Sequence, residues 1–155
     1  MDKIAIGLAL GYIMLLVAIR LVSRRPVTLG VTGGKLAGCP AKPNCVSTQA
    51  SAGLHKIEPF RFTGPAAAAM SAIKAALARH PNAHVVTETA DYLHVEFTTR
   101  LLRYVDDVEF HIDEANRVVH FRSASRVGYS DWGVNRKRME SLRAHFDLAS
   151  ALTGK

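Results

Sequence analysis

A chain of 155 residues without internal repeats or low-complexity tracts suits one folded domain plus whatever precedes it. Its net charge of +7 divides unevenly: Lys3, Arg20, Arg24 and Arg25 against Asp2 supply +3, and the remaining 16 basic and 12 acidic residues only +4. That field is weak for a polyanion, and without a stacking motif or a reader helix it excludes nucleic-acid binding as a leading function.

Ile4 to Ile19 is a run of 16 uncharged residues. With Arg20 snorkelling its head to the interface, the run reaches Val22 and roughly 28 Å of helix, enough to span a bilayer. The only cation within its front is Lys3 and no A-x-A site follows, so residues 1–23 are read as an uncleaved single-pass anchor rather than a signal peptide. Gly7 and Gly11 form GxxxG, and Ala18 lies one heptad further on the same face, a pattern that lets a second transmembrane helix approach closely. Small residues scattered in a lone anchor are the alternative.

Residues 24–38 read as a linker, with three glycines and a proline before Leu36. Leu36-Ala37-Gly38-Cys39 has the form of a lipobox but lies too far beyond the apolar run to serve as one. The only two cysteines, Cys39 and Cys45, sit in CPAKPNC, close enough for one bridge and too few for a zinc site. A pair of reduced, buried thiols is the other reading. A bridge closing so short a loop contributes about 2 kcal/mol on the chain-entropy account and persists only in an oxidising compartment. The orientation is contested, because Arg20, Arg24 and Arg25 after the span favour a cytoplasmic domain.

Residues 39–152 are expected to form a single α+β domain: an antiparallel sheet of four to five strands with two helices on one face. His55 to Phe62 reads as an edge strand, since Pro59 cannot donate to a ladder. Gly64 and Pro65 open a helix whose face carries Ala66, Ala69, Met70, Ile73 and Leu77, and Pro81 ends it. After a short run at Val85 to Thr89, Tyr92 to Arg100, Tyr104 to Asp113 and Arg117 to Arg126 read as an antiparallel meander.

Parity gives the meander two faces. Leu93, Val95, Phe97, Val108, Phe110, Ile112, Val119 and Phe121 point to the core. The other face carries His94, Glu96, Arg100, Asp107, Glu109, His111, His120 and Arg122, read as cross-strand ion pairs on an open surface, with metal ligation the lesser alternative. Folding back at Asp113 to Arg117 sets His111 opposite His120 and Glu109 opposite Arg122. Asp106 breaks the pattern, for it shares the parity of Val108 and Phe110, and an ionised carboxylate on the core side needs a partner. Ser123 and Ser125 share that face, and Arg126 or Arg136 is the expected cation.

The stretch from Arg122 to Phe146 moves from strand through a Gly-punctuated turn into a helix. Met139, Leu142, Phe146 and Ala149 form its apolar stripe, and Ser130 or Asp131 is its cap. Arg122, Arg126, Arg136, Lys137, Arg138 and Arg143 fall within 22 residues. Arginine forks onto carboxylate or phosphate, so the segment, with Asp106, Ser123, Ser125 and Asp131, is a candidate site for an anion or a partner. A solvated helix face with structural ion pairs is the competing reading.

CPAKPNCVSTQA at Cys39 to Ala50, DYLHVEFTTRLLRYVDDVEF at Asp91 to Phe110 and RSASRVGYSDWGVNRKRMESLR at Arg122 to Arg143 together resemble the family named domain of unknown function 1499. The resemblance covers almost everything after the linker. It implies a bacterial or plastid domain, often preceded by membrane segments and associated with the periplasm or thylakoid lumen, and it brings no activity. On that implication the domain is placed on the periplasmic side of the inner membrane.

The leading functional expectation is a non-catalytic, membrane-tethered binding or accessory module of a membrane protein complex, docking a protein or anionic ligand through the arginine-rich segment and the polar sheet face. A hydrolase using His, Asp and Ser on the sheet is the alternative, with no nucleophile elbow to support it. Thiol redox work is a third, although five residues with two prolines separate the cysteines. No catalytic residue, metal or cofactor is nominated.

Overall fold

A computed structural model describes residues 3–153. Helix α1 (Lys3–Val22) stands first, then β1 (Cys45–Ser47), a 3-10 turn at Gly53–His55, β2 (Phe60–Arg61), α2 (Ala66–Leu77), β3 (Ala83–Glu88), β4 (Tyr92–Thr98), β5 (Val105–Asp113), β6 (Val118–Ser125) and α3 (Val134–Thr153). By length and composition α1 is a helix able to cross a membrane, and little of it is buried against the rest of the chain.

All strand pairs are antiparallel, in the order β1-β6-β5-β4-β3, with β2 on the same edge of β6 as β1. The fold is therefore α+β, with six strands rather than four or five. Between β5 and β6 the register sets His111 opposite His120 and Glu109 opposite Arg122, as expected from the turn at Asp113. Asp113 Oδ1 accepts from the Asn116 amide at 3.0 Å, and Arg117 takes a positive φ of 54°, so the turn itself fixes the pairing.

One face of the sheet carries the core. Leu93, Val95, Phe97, Val108, Phe110, Ile112, Val119 and Phe121 pack with Ala69, Met70, Ile73 and Leu77 of α2 and Met139, Leu142 and Phe146 of α3. Phe60 lies at its centre, its ring centroid 4.7 Å from Phe121 and 5.0 Å from Phe146. Burying each such ring contributes about 2–3 kcal/mol.

Three local expectations are corrected. The edge strand at 55–62 shrinks to Phe60–Arg61, because Gly53 at φ 78° starts a 3-10 turn that runs through His55. β1 was not foreseen, since three residues beside a proline-rich loop show no alternation. Residues 24–36 are not a free spacer. Leu36 is buried, its amide donates to Gln49 Oε1 at 2.9 Å, and the Gly30 amide donates to Glu109 Oε1 at 2.7 Å. The segment thus lies on the sheet's second face, which is closed rather than open.

Cys39 and Cys45 are bridged, with Cα atoms 5.7 Å apart. Thiol labelling of unreduced, denatured protein is expected to find no free thiol. Two labelled cysteines would contradict the bridge.

Candidate functional site

The second face of the sheet is polar yet dry. His94, Asp107, Glu109 and Arg122 are all buried there. Ionised groups so placed must neutralise one another, and the network does this with arginine. Arg126 forks onto Asp107, Nε to Oδ2 at 2.8 Å and Nη2 to Oδ1 at 2.6 Å, and also donates to Glu96 Oε1 at 2.5 Å. Its Nη1 reaches the backbone carbonyl of Ser23, just past α1, at 3.3 Å. Arg25 adds a second donor to Glu96 at 2.7 Å, and His94 Nε2 lies 2.8 Å from Asp107 Oδ1. Burial alone would push both carboxyls up, but the arginine bonds outweigh it and hold Glu96 and Asp107 below their usual range. The same bonds, Asp107's first, raise Arg126 against the opposing effect of burial.

Glu109, fully buried, accepts from three sides: the Gly30 amide, the Tyr92 hydroxyl at 2.9 Å and Arg122 at 3.4 Å. Burial and the neighbouring Glu109 charge push the Tyr92 phenol far above its ordinary value. His94, Glu96 and Asp107 bring ligand-type atoms within 4.8 Å of one another, a spacing open to a metal. The Arg126 guanidinium already bonds both carboxylates, supplying the positive charge that a metal would otherwise bring.

The helix side of the same strands carries a separate network. Asp106 is buried, and its Oδ2 accepts from Arg138 Nη2 at 2.5 Å. The partner is Arg138, not Arg126 or Arg136. Arg126 turns to the opposite face, and Arg136, two positions and about 200° earlier on the helix, donates to the carbonyls of Leu54 and Lys56. Arg138 also donates to Ser123 Oγ at 3.1 Å and Asn135 Oδ1 at 2.6 Å, and it stacks 4.7 Å over the Phe97 ring. Asn135, fully buried, gives its amide hydrogens to Ser125 Oγ and to the carbonyl of Asn44. Asn44 in turn donates to the Gly128 carbonyl, so the disulfide loop, the end of β6 and the start of α3 are joined at one point. Asp131 caps α3, accepting from the amides of Gly133 and Asn135.

The candidate arginines thus divide. Arg122 and Arg126 serve the polar face, Arg138 the helix side, and Arg136 and Arg143 clamp the chain before β2, Arg143 through the carbonyls of Pro59 and Glu58. They do not converge on one open cleft.

Two cavities flank the last turns of α1. One, of about 610 Å³, lies among Arg20, Arg25, Glu96, Arg103 and Arg126. The other, of about 560 Å³, lies among Ile19, Val22, Tyr104, Val127, Trp132 and Val134, and Ala18 lines it too. Gly7 and Gly11 are exposed and would meet nothing within 4 Å if given a Cβ.

A family profile described as protein of unknown function (DUF1499) matches residues 35–146. The chain belongs to the DUF1499 family. No curated protein and no solved structure matches it.

Several residues that build these networks in this DUF1499 chain carry no local signal in the sequence. Asn44 and Asn135 were passed over, although both lie inside the segments that carry the family resemblance, where a buried amide linking two motifs is a natural expectation. Arg138 belongs to the arginine-rich segment, but its pairing with Asp106 depends on the phase of α3 against the sheet. Nothing local marked Gly30 as Glu109's donor, since 79 residues separate them.

Asp106→Ala is expected to cost about 3 kcal/mol by removing the one carboxylate that faces Arg138, and Asp107→Ala about as much by leaving Arg126 with Glu96 alone and His94 without its acceptor. Denaturant melts beside the exposed Glu114→Ala control measure both. Small, equal losses would mean that neither network is closed.

Stability is also expected to fall in two steps on acidification. Burial holds His80 and His120 below 6.5, with His145 and Arg138 adding to it at His80 and with Asp113 opposing it at His120. The unfolded chain therefore takes those protons first, and stability present above about pH 6.5 is lost as pH falls towards the folded values. A second loss follows as pH drops through the depressed values of Asp107 and Glu96, for which stability is present above about pH 4. Thermal melts of the detergent-solubilised chain from pH 7 to 3 should show both steps, with the first reduced in His120→Gln.

Proposed function

We propose that this protein is a non-catalytic accessory module of a membrane protein complex, anchored by α1 in the cytoplasmic membrane with its domain on the periplasmic side. The observation that carries this reading is how the chain uses its charged groups. The nominated arginines bond acids, hydroxyls or backbone carbonyls and Asp131 caps α3, whereas Gly7 and Gly11 of α1 are left without neighbours.

A hydrolase needs a nucleophile beside a base. Here Ser123 and Ser125 are engaged by Asn135 and Arg138, and His94 faces Asp107 beneath a guanidinium. Docking through the arginine-rich segment would require breaking these pairs. The disulfide favours an oxidising compartment over the orientation implied by Arg20, Arg24 and Arg25. Gly7 and Gly11 stand roughly a third of a turn from Tyr12, one of the residues through which α1 meets its own domain, so a partner helix can approach that half of α1 without displacing the domain, whereas Ala18 lines the cavity shared with Trp132.

The test is the native mass of the tagged full chain, purified from its own membranes in mild detergent. A stoichiometric complex is expected, and Gly7→Leu with Gly11→Leu should dissociate it while leaving the melting curve unchanged. A monomer, or a complex indifferent to both substitutions, would overturn the reading.

A further inference from the structure

Successive rows of side chains cross the second face of the sheet, and arginine neutralises two of them. Glu96 and Asp107 share Arg126, and Glu109 faces Arg122. The next row sets His111 opposite His120, with Asp113 two residues beyond His111 on the same face. This corner has a carboxylate and no arginine bonded to it. Among the described residues Asp113 accepts hydrogen bonds from Asn116 alone, the amide to Oδ1 at 3.0 Å and Nδ2 to Oδ2 at 2.7 Å. Lys56, whose charge bears on His120, donates instead to the Thr48 carbonyl at 2.8 Å.

His120 is held as a ligand would be. The Thr48 hydroxyl accepts from the Phe121 amide at 3.1 Å and donates to the Phe121 carbonyl at 3.3 Å, so it meets His120 Nδ1, 3.2 Å away, with a lone pair. Nδ1 therefore carries the ring proton, and Nε2 turns its own lone pair to Asp113 Oδ2 at 3.8 Å. Two electron pairs so placed repel unless a cation lies between them. A tetrahedral ion with bonds of about 2.0–2.1 Å holds its ligand atoms about 3.3–3.4 Å apart, so a closure of about half an ångström seats one. A third donor is at hand, for His111 Nδ1 is buried without a hydrogen-bond partner. The side chains of His120 and Asp113 are 20% and 24% exposed, which leaves an ion an entry path and a position open to water.

We propose that His111, Asp113 and His120 form a binding site for a divalent transition ion of the zinc class, His111 turning its ring to complete the set. Two imidazoles and one carboxylate suit such an ion rather than calcium or magnesium, which take oxygen ligands. The bond from Nδ1 to Thr48 is the outer contact that fixes the tautomer of a ligating histidine, and Asn116 steadies the carboxylate in the same way. The group of His94, Glu96 and Asp107 differs in that Arg126 already holds its carboxylates. The site takes no residue from α1, so it stands apart from how that helix meets a membrane or a partner.

The full chain, purified in detergent with a tag free of histidine, is stripped with EDTA and titrated with zinc against a chromophoric chelator. One zinc ion per chain is expected, together with a raised melting temperature. His111→Gln and His120→Gln should each weaken binding by roughly tenfold or more and remove the melting shift, whereas the exposed His84→Gln leaves both unchanged. The unmodified chain gives a second readout that does not depend on any variant folding: zinc should shield His111 and His120, but not His84, from diethylpyrocarbonate. Absence of binding would overturn the site. So would zinc bound with His111 and His120 still reactive, or with an affinity indifferent to both substitutions.

Discussion

Arg126 is the residue on which the arrangement of this protein turns. A sheet needs two covered faces or one wet one, and here the second face is covered although its side chains are acids and histidines. Placing a half-buried Glu96 beside the buried Asp107 is tolerable only with a cation between them. A guanidinium suits the position because it bonds both carboxylates and still has a donor left for the Ser23 carbonyl. One side chain therefore neutralises β4 and β5 and fixes the point at which the chain leaves α1.

The helix side uses the same device with different parts. Asp106 and Arg138 hold α3 to β5, while Asn44 and Asn135 connect that pair to the disulfide loop. The two networks lie back to back across the same strands, facing opposite ways from Asp106 and Asp107. Two acids in succession on one strand thus join the sheet both to its helices and to the segment that follows α1.

Much of this was legible where local rules suffice. The period-two alternation of β4, β5 and β6 predicted the core residues, and the Asp113 turn predicted the register. The need for a partner at Asp106 followed from parity alone. The identity of that partner did not, because choosing between Arg136 and Arg138 requires the phase of α3 against the sheet, and a shift of two residues rotates a side chain by more than half a turn. The segment after α1 misled for a different reason. Its glycines have the composition of a flexible linker, and composition does not reveal that Gly30, at φ 115°, donates its amide to a distant glutamate.

That glycine bears on where this domain can be divided. Sequence similarity begins at residue 35, which invites cutting there to obtain a soluble fragment. Such a cut removes Arg25, the Gly30 amide and the Ser23 carbonyl together, leaving Glu109 and Glu96 with fewer donors and Arg126 with an unused one. The boundary of resemblance and the boundary of hydrogen bonding differ by about a dozen residues, and a self-sufficient piece of this protein begins no later than Ser23.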